Sequence, residues 1–139
     1  MAYGHTYGLK LEIYDTAATP PAYIVVGGVQ SITPPSISAG DPIEVTNHTS
    51  PGGFREHIHS PLYELTEVTG NMYTDIADAG QNLLRASVGS TQRFKVTLPS
   101  RPGQDVEFNA VVSTITNGTF EMESVDNQDF TLKPTGQPI

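Results

Sequence analysis

Apolar and polar side chains alternate along residues 6–14: Tyr7, Leu9, Leu11 and Ile13 fall on one face, Lys10, Glu12 and Tyr14 on the other. Apolar residues at every second position cannot share one side of a helix; they line one face of a half-buried strand. The same period returns at residues 93–98, with Phe94, Val96 and Leu98 inward, and at residues 106–116, with Val106, Phe108, Ala110 and Val112 on one face. Shorter apolar runs at 23–26 and 29–32 flank Gly27-Gly28, a pair expected at a turn, bulge or close backbone approach. Asn117-Gly118 predicts a tight hairpin, with residues 119–125 returning as a strand, and residues 130–133 read as a last short one. Residues 33–42 hold Pro34, Pro35 and Pro42 and are expected outside any sheet.

One stretch breaks the period of two. Over about residues 75–88, Ile76, Leu83 and Leu84 can share a side, and Ala79 and Ala86 allow close approach. Asp78 followed by Gln81 has the spacing of a capping box, and Gly89 is placed to end the helix. The expected class is therefore mainly β: a sandwich or barrel of about seven or eight strands with one flanking helix, as a single unit over residues 1–139.

Between the strands lies an unusual excursion. Residues 43–46 and 62–73 read as two arms of an extended hairpin, with a polar tip at about residues 47–61. A tip of that length is too long for a tight turn, and long loops are usually functional or disordered. It holds no nucleophile–base pair and no phosphate cradle. Contact with another subunit is the expected role of Pro51, Gly52, Gly53, Phe54, Arg55, Glu56, His57, Ile58 and His59.

The chain has 15 acidic and 7 basic residues and a formal charge of −8. That balance argues against nucleic-acid or anionic-membrane binding as the main task. No apolar run approaches the roughly 18 residues of a membrane span, and the first ten residues lack the basic-then-apolar order of a secretion signal, so a cytoplasmic start and no membrane insertion are expected. Without cysteine there is no disulfide and no thiolate metal site. His57 and His59 would face one side of a strand, as metal ligands can, but no third ligand is in phase, so no metal and no cofactor are expected. No catalytic triad order or Walker-type glycine loop appears, and the carboxylates are scattered, so no enzyme is expected.

The order of short motifs resembles the tail tube (major tail) proteins of long-tailed phages and gene-transfer-agent-like particles. The resemblance rests on Gly27-Gly28-Val29-x-Ser31-Ile32, Asp41-x-Ile43-Glu44-Val45-Thr46, Gly52-Gly53-Phe54-Arg55-Glu56-x-Ile58, Glu67-Val68, Gly70-Asn71-x-Tyr73, Ala79-Gly80-Gln81 and Phe130-Thr131-Leu132-Lys133-Pro134-x-Gly136. It covers nearly the whole chain. One departure is His59-Ser60-Pro61-Leu62, where the family often has Pro-Gly-Leu.

The resemblance implies a structural subunit in the tail of a virion or phage-like particle, assembled in the host cytoplasm. It would form six-membered rings stacked into a hollow tube, through which DNA passes without specific binding. One sheet of each subunit would join its neighbours' around the lumen, and the long loop would pack on adjacent subunits. Partners would be the chain itself and the tape-measure, distal tail and tail terminator proteins. Glu44, Glu64 and Glu67 are the candidates for an acidic lumen wall. The alternatives are a tube protein of the type VI secretion ring kind and a ligand-binding β-sandwich; the latter would need exposed aromatics on one face, and the chain has no Trp.

Overall fold

The computed structural model describes residues 7–60, 62–137 and 139. The start of the first expected strand at Thr6, and Pro61 in the hairpin tip, lie outside the described residues. Seven strands form one antiparallel sheet: β1 (Lys10–Asp15), β2 (Ala22–Val26), β3 (Val29–Thr33), β8 (Val68–Tyr73), β9 (Thr91–Thr97), β10 (Val106–Asn117) and β11 (Asn127–Pro134), in the order β2-β1-β9-β10-β11-β8-β3. Between β3 and β8 come four short strands: β4 (Ile37–Ala39), β5 (Ile43–Glu44), β6 (His57–Ile58) and β7 (Tyr63–Leu65). A single helix, α1 (Ala79–Ala86), follows β8.

The two edges of the main sheet are consecutive in sequence. β2 ends at Val26 and β3 begins at Val29, and two intervening residues span no more than about 10 Å. The sheet must therefore curl until its edges approach at Gly27-Gly28, yet no ladder joins them, so the barrel stays open. The inward residues fill it. Leu11, Ile13, Phe94, Val96, Phe108, Ala110, Val112, Phe130, Leu132, Val68 and Met72 are buried, and Leu84 enters the same core from α1.

Two bulges keep this core in phase. Val112 pairs with Leu132 and Ile115 with Phe130, the register shifting between Val112 and Thr114. Val29 pairs with Met72 and Ile32 with Gly70, shifting between Val29 and Ser31. In both places two core residues lie three apart, which an unbroken pleat would send to opposite faces.

Several expectations are corrected. The first strand begins at Lys10, and Tyr7, expected inward, is exposed. Asn117-Gly118 is no hairpin turn. A type I′ turn needs positive φ at both positions, and neither residue has it. β10 runs through Asn117, Gly118 N–H still donates to Asn127 C=O at 2.9 Å, and residues 118–126 form a loop in place of the expected strand. The helix starts at Ala79, within the expected 75–88, and ends two residues early at Ala86. Asp78 caps it by accepting from Gln81 N–H at 2.9 Å, while Ile76 stands outside it and is exposed. The Gln81 side chain does not reach back to the cap residue. It turns into the interior instead, accepting from Asp75 N–H at 2.8 Å and donating to Gly27 C=O at 2.6 Å and Tyr73 C=O at 2.7 Å. Gly80, not an alanine, makes the close approach: a Cβ there would lie 2.1 Å from Val25 O.

Candidate functional site

The four short strands are the outward continuation of β3 and β8. Thr33 pairs with Thr69, Ile37 with Leu65 and Ala39 with Tyr63 in one register; Ile43 pairs with Ile58 after a slip of a single residue. One hairpin thus runs from the main sheet to a tip at residues 45–56. Its outer part, from Thr33 to Glu44, extends roughly 35–40 Å at about 3.3 Å per residue. The expected loop was too long and its arms too short. β4 lies in the segment expected outside any sheet, because Pro34, Pro35 and Pro42 flank its three residues without interrupting them. His57 and Ile58 belong to the ladder, not the tip.

The tip folds on itself through short polar contacts. Thr46 Oγ1 accepts from Glu56 N–H at 2.9 Å, Ser50 Oγ accepts from Asn47 N–H at 3.0 Å, and the Ser50 hydroxyl donates to Glu56 Oε2 at 3.1 Å. Pro51, Gly52 and Gly53 make a single 3-10 turn; Gly52 and Gly53 have φ of 62° and 74°, where a side chain would be strained. Phe54 leaves this turn exposed, and Arg55 reaches across to Glu44 at 3.8 Å. His57 stands opposite Glu44, Ile58 opposite Ile43, and His59 follows. The nine expected contact residues are therefore contiguous on one projecting element. The three acidic candidates do not converge. Glu44 is at the tip, Glu64 faces Ser38 on the middle of the arm, and Glu67 sits at its base, 4.0 Å from Lys133. Among the described residues no three His, Asp or Glu side chains gather as a metal site would require.

Beyond Leu65, which packs against the core, the arm's large apolar residues are poorly covered. Ile37, Ile43, Val45, Phe54, Ile58, Leu62 and Tyr63 are all exposed, seven of the sixteen exposed large hydrophobics among the described residues. A two-stranded ribbon is marginal alone in water, and this one holds out more apolar surface than the rest of the fold explains.

Sequence reasoning missed two other features. At the far end of the sheet, the 118–126 loop exposes Phe120, Met122 and Val125; the Asn117-Gly118 signal concealed it by suggesting a two-residue turn. On the outward face of β1, β2 and β9, Tyr14 and Tyr23 meet edge to face at 5.2 Å, with the Arg93 guanidinium 5.5 Å and 5.8 Å from the two ring centres. Arg93 pairs with Glu107 at 3.1 Å, and Tyr23 O–H donates to the same carboxylate at 3.5 Å. The rings are thus spent on an internal cluster, unlike the open aromatic face of a ligand-binding sheet.

Burial, and then the Glu107 charge, push the Tyr23 hydroxyl above the usual tyrosine range. The folded chain then holds this proton to higher pH than the unfolded one, so stability falls as pH rises past about 10. Tyr23→Phe is expected to flatten that alkaline decline without changing its neutral-pH baseline greatly; urea midpoints between pH 8 and 11 measure it, and parallel declines in the two proteins would refute it.

No family model and no curated protein matches the chain. Solved structures do. A chain from the tail of an empty gene transfer agent particle with C6 symmetry superposes with a TM-score of 0.74 at 16% identity, over 98% of this chain and 97% of that one. A chain of the SPP1 tail tube gives 0.65 at 13% identity, over 92% and 73%. A chain of an extracellular contractile injection system, in a structure of the PVC sheath/tube terminator in its extended state, gives 0.71 at 15% identity, over 100% and 96%. At such identities the likeness establishes the fold alone.

Proposed function

We propose that this chain is a structural subunit of a tail tube, stacking as rings of six around a lumen that carries DNA. The observation that carries this is the pairing of a fold match to chains from a gene transfer agent tail, a tail tube and a contractile injection system with a long arm that leaves seven large apolar side chains exposed. A subunit that buries its arm on its neighbours has a use for that surface; an isolated binding domain has none. On this reading the chain performs no catalysis, its first partner is itself, and tape-measure, distal tail and terminator proteins meet it at the ends of the tube. Its place is the tail of a phage or phage-like particle.

Glu44, Glu64 and Glu67 remain our candidates for the wall facing DNA. Each Lys or Arg contact with phosphate releases counterions and tightens binding, so a wall that must let DNA slide gains from acids. Changing Glu64 and Glu67 to Lys is expected to preserve tubes and slow DNA ejection, most at low salt; unchanged ejection across salt concentrations would remove them from the lumen.

Negative-stain microscopy of the purified full chain tests the main reading. Rings or tubes are expected. Featureless monomers over the concentration range in which tail proteins assemble would overturn it and favour the ligand-binding alternative.

A further inference from the structure

The sheet has two apolar poles, and they differ. β3 ends and β8 begins where the arm departs, at Thr33 and Val68. The other end of β8, Tyr73, pairs with Asn127, the first residue of β11. The 118–126 loop therefore sits at the pole opposite the arm. Phe120 is 70% exposed, Met122 103% and Val125 60%, and Ile76 beside the helix cap is 84% exposed. The loop is held in shape: the Ser124 hydroxyl accepts from Glu121 N–H at 3.0 Å, and Thr74 N–H donates to Asp126 C=O at 2.9 Å.

We infer that this loop is the receptor for the arm tip of the next copy along the stack, an inference that rests on the tube reading. Three observations carry it. First, each chain has one arm and one loop at opposite poles, which is the arrangement of a head-to-tail contact that repeats without closing on itself. Second, both poles leave large apolar groups exposed: Ile43, Val45, Phe54 and Ile58 at the tip, and Phe120, Met122, Val125 and Ile76 at and beside the loop. Third, the tip offers the acidic loop one exposed cation, beside its own Glu44 and Glu56. Arg55 is the one Lys or Arg in residues 29–73, and no Lys or Arg lies between Arg101 and Lys133, where the loop carries Glu121, Glu123 and Asp126. Arg55 stands 80% exposed at the tip with a single loose ion pair. Arg85, which reaches β11 at Gln128, is turned to Gln81, Asn82 and Gln128.

The chain has no cysteine, so engineered thiols report the contact directly. Phe54→Cys and Met122→Cys are made separately in the full chain, mixed, assembled and oxidised. A 54–122 dimer from the mixture, and a ladder of multimers from the doubly substituted chain, are expected. Tubes that form without this cross-link, or that link 54 to 54, overturn the docking and leave the tube reading intact; failure of the unsubstituted chain to assemble under the same conditions overturns both. Charge exchange gives an independent measure. Arg55→Glu is expected to lower the polymerised fraction at least tenfold, and Glu121→Arg with Glu123→Arg to restore it in the same chain. Loss without restoration contradicts the proposed pairing.

Discussion

Replacing residues 41–61 by Asn-Gly is expected to yield a folded, monomeric sheet that forms no tubes at any concentration. The physical case is one-sided burial. None of these residues with a described environment is buried in the free subunit, so the core loses nothing. Gly40 N–H donates to Leu62 C=O at 3.1 Å, which leaves a paired end for a two-residue turn to close. Each residue held in the arm costs roughly 1–2 kcal/mol of backbone entropy, so the shortened chain should melt within a few degrees of the parent, or slightly above it. Assembly, by contrast, loses Phe54, Ile58, Ile43 and Arg55 together. Scanning calorimetry and sedimentation measure the two halves of this expectation. Normal tubes from the shortened chain would show that the arm is ornamental; a chain that fails to fold would show that it supports the core in a way its exposure does not reveal.

What could be read from the sequence divides along a physical line. The residues of β1, β9 and β10 that face the core were identified by period alone, because a sheet with one buried face leaves alternation in the sequence. Leu11, Ile13, Phe94, Val96, Phe108, Ala110 and Val112 are all buried. The arm was recognised as a long hairpin with an outward task, but its ladder was placed wrongly. A ribbon with both faces wet keeps no clean alternation, and prolines that flank a three-residue strand look the same in sequence as prolines that forbid one. The bulges in β3 and β10 were equally hidden, since a step of three between core residues fits neither the helical nor the strand period. Asn117-Gly118 misled for a different reason. Its local preference for a tight turn was overridden by β11, which pairs with β10 up to Asn117. The site was legible as a segment and not as a geometry, and the second pole could not be found until the false turn was removed.

A large loss of stability from a single change is expected at Gln81, the buried amide between the helix and the sheet edges. Gln81 is 0% exposed. Its side chain serves Gly27 C=O at the turn between β2 and β3, Tyr73 C=O at the end of β8, and Asp75 N–H before the helix. These three groups come from the places where the curled sheet must be held together, since no ladder joins β2 to β3. Asp78 reinforces the same point by accepting from Gly27 N–H at 3.0 Å as well as capping α1. Gln81→Leu keeps the volume and strands all three backbone groups. A fully buried group left without a partner costs about 1–3 kcal/mol; these three bonds are part-buried, so the summed cost is of order 3 kcal/mol. That is a large share of a margin that is typically about 5–15 kcal/mol. The exposed Gln104→Leu serves as the control and should stay within about 0.5 kcal/mol. Urea unfolding of the free subunit decides the matter. A Gln81→Leu chain as stable as the control would mean that packing alone holds the helix to the sheet. A chain that unfolds at much lower urea would show that the opening between β2 and β3 is closed by hydrogen bonds through one side chain, in place of the strand pairing that a closed barrel would use.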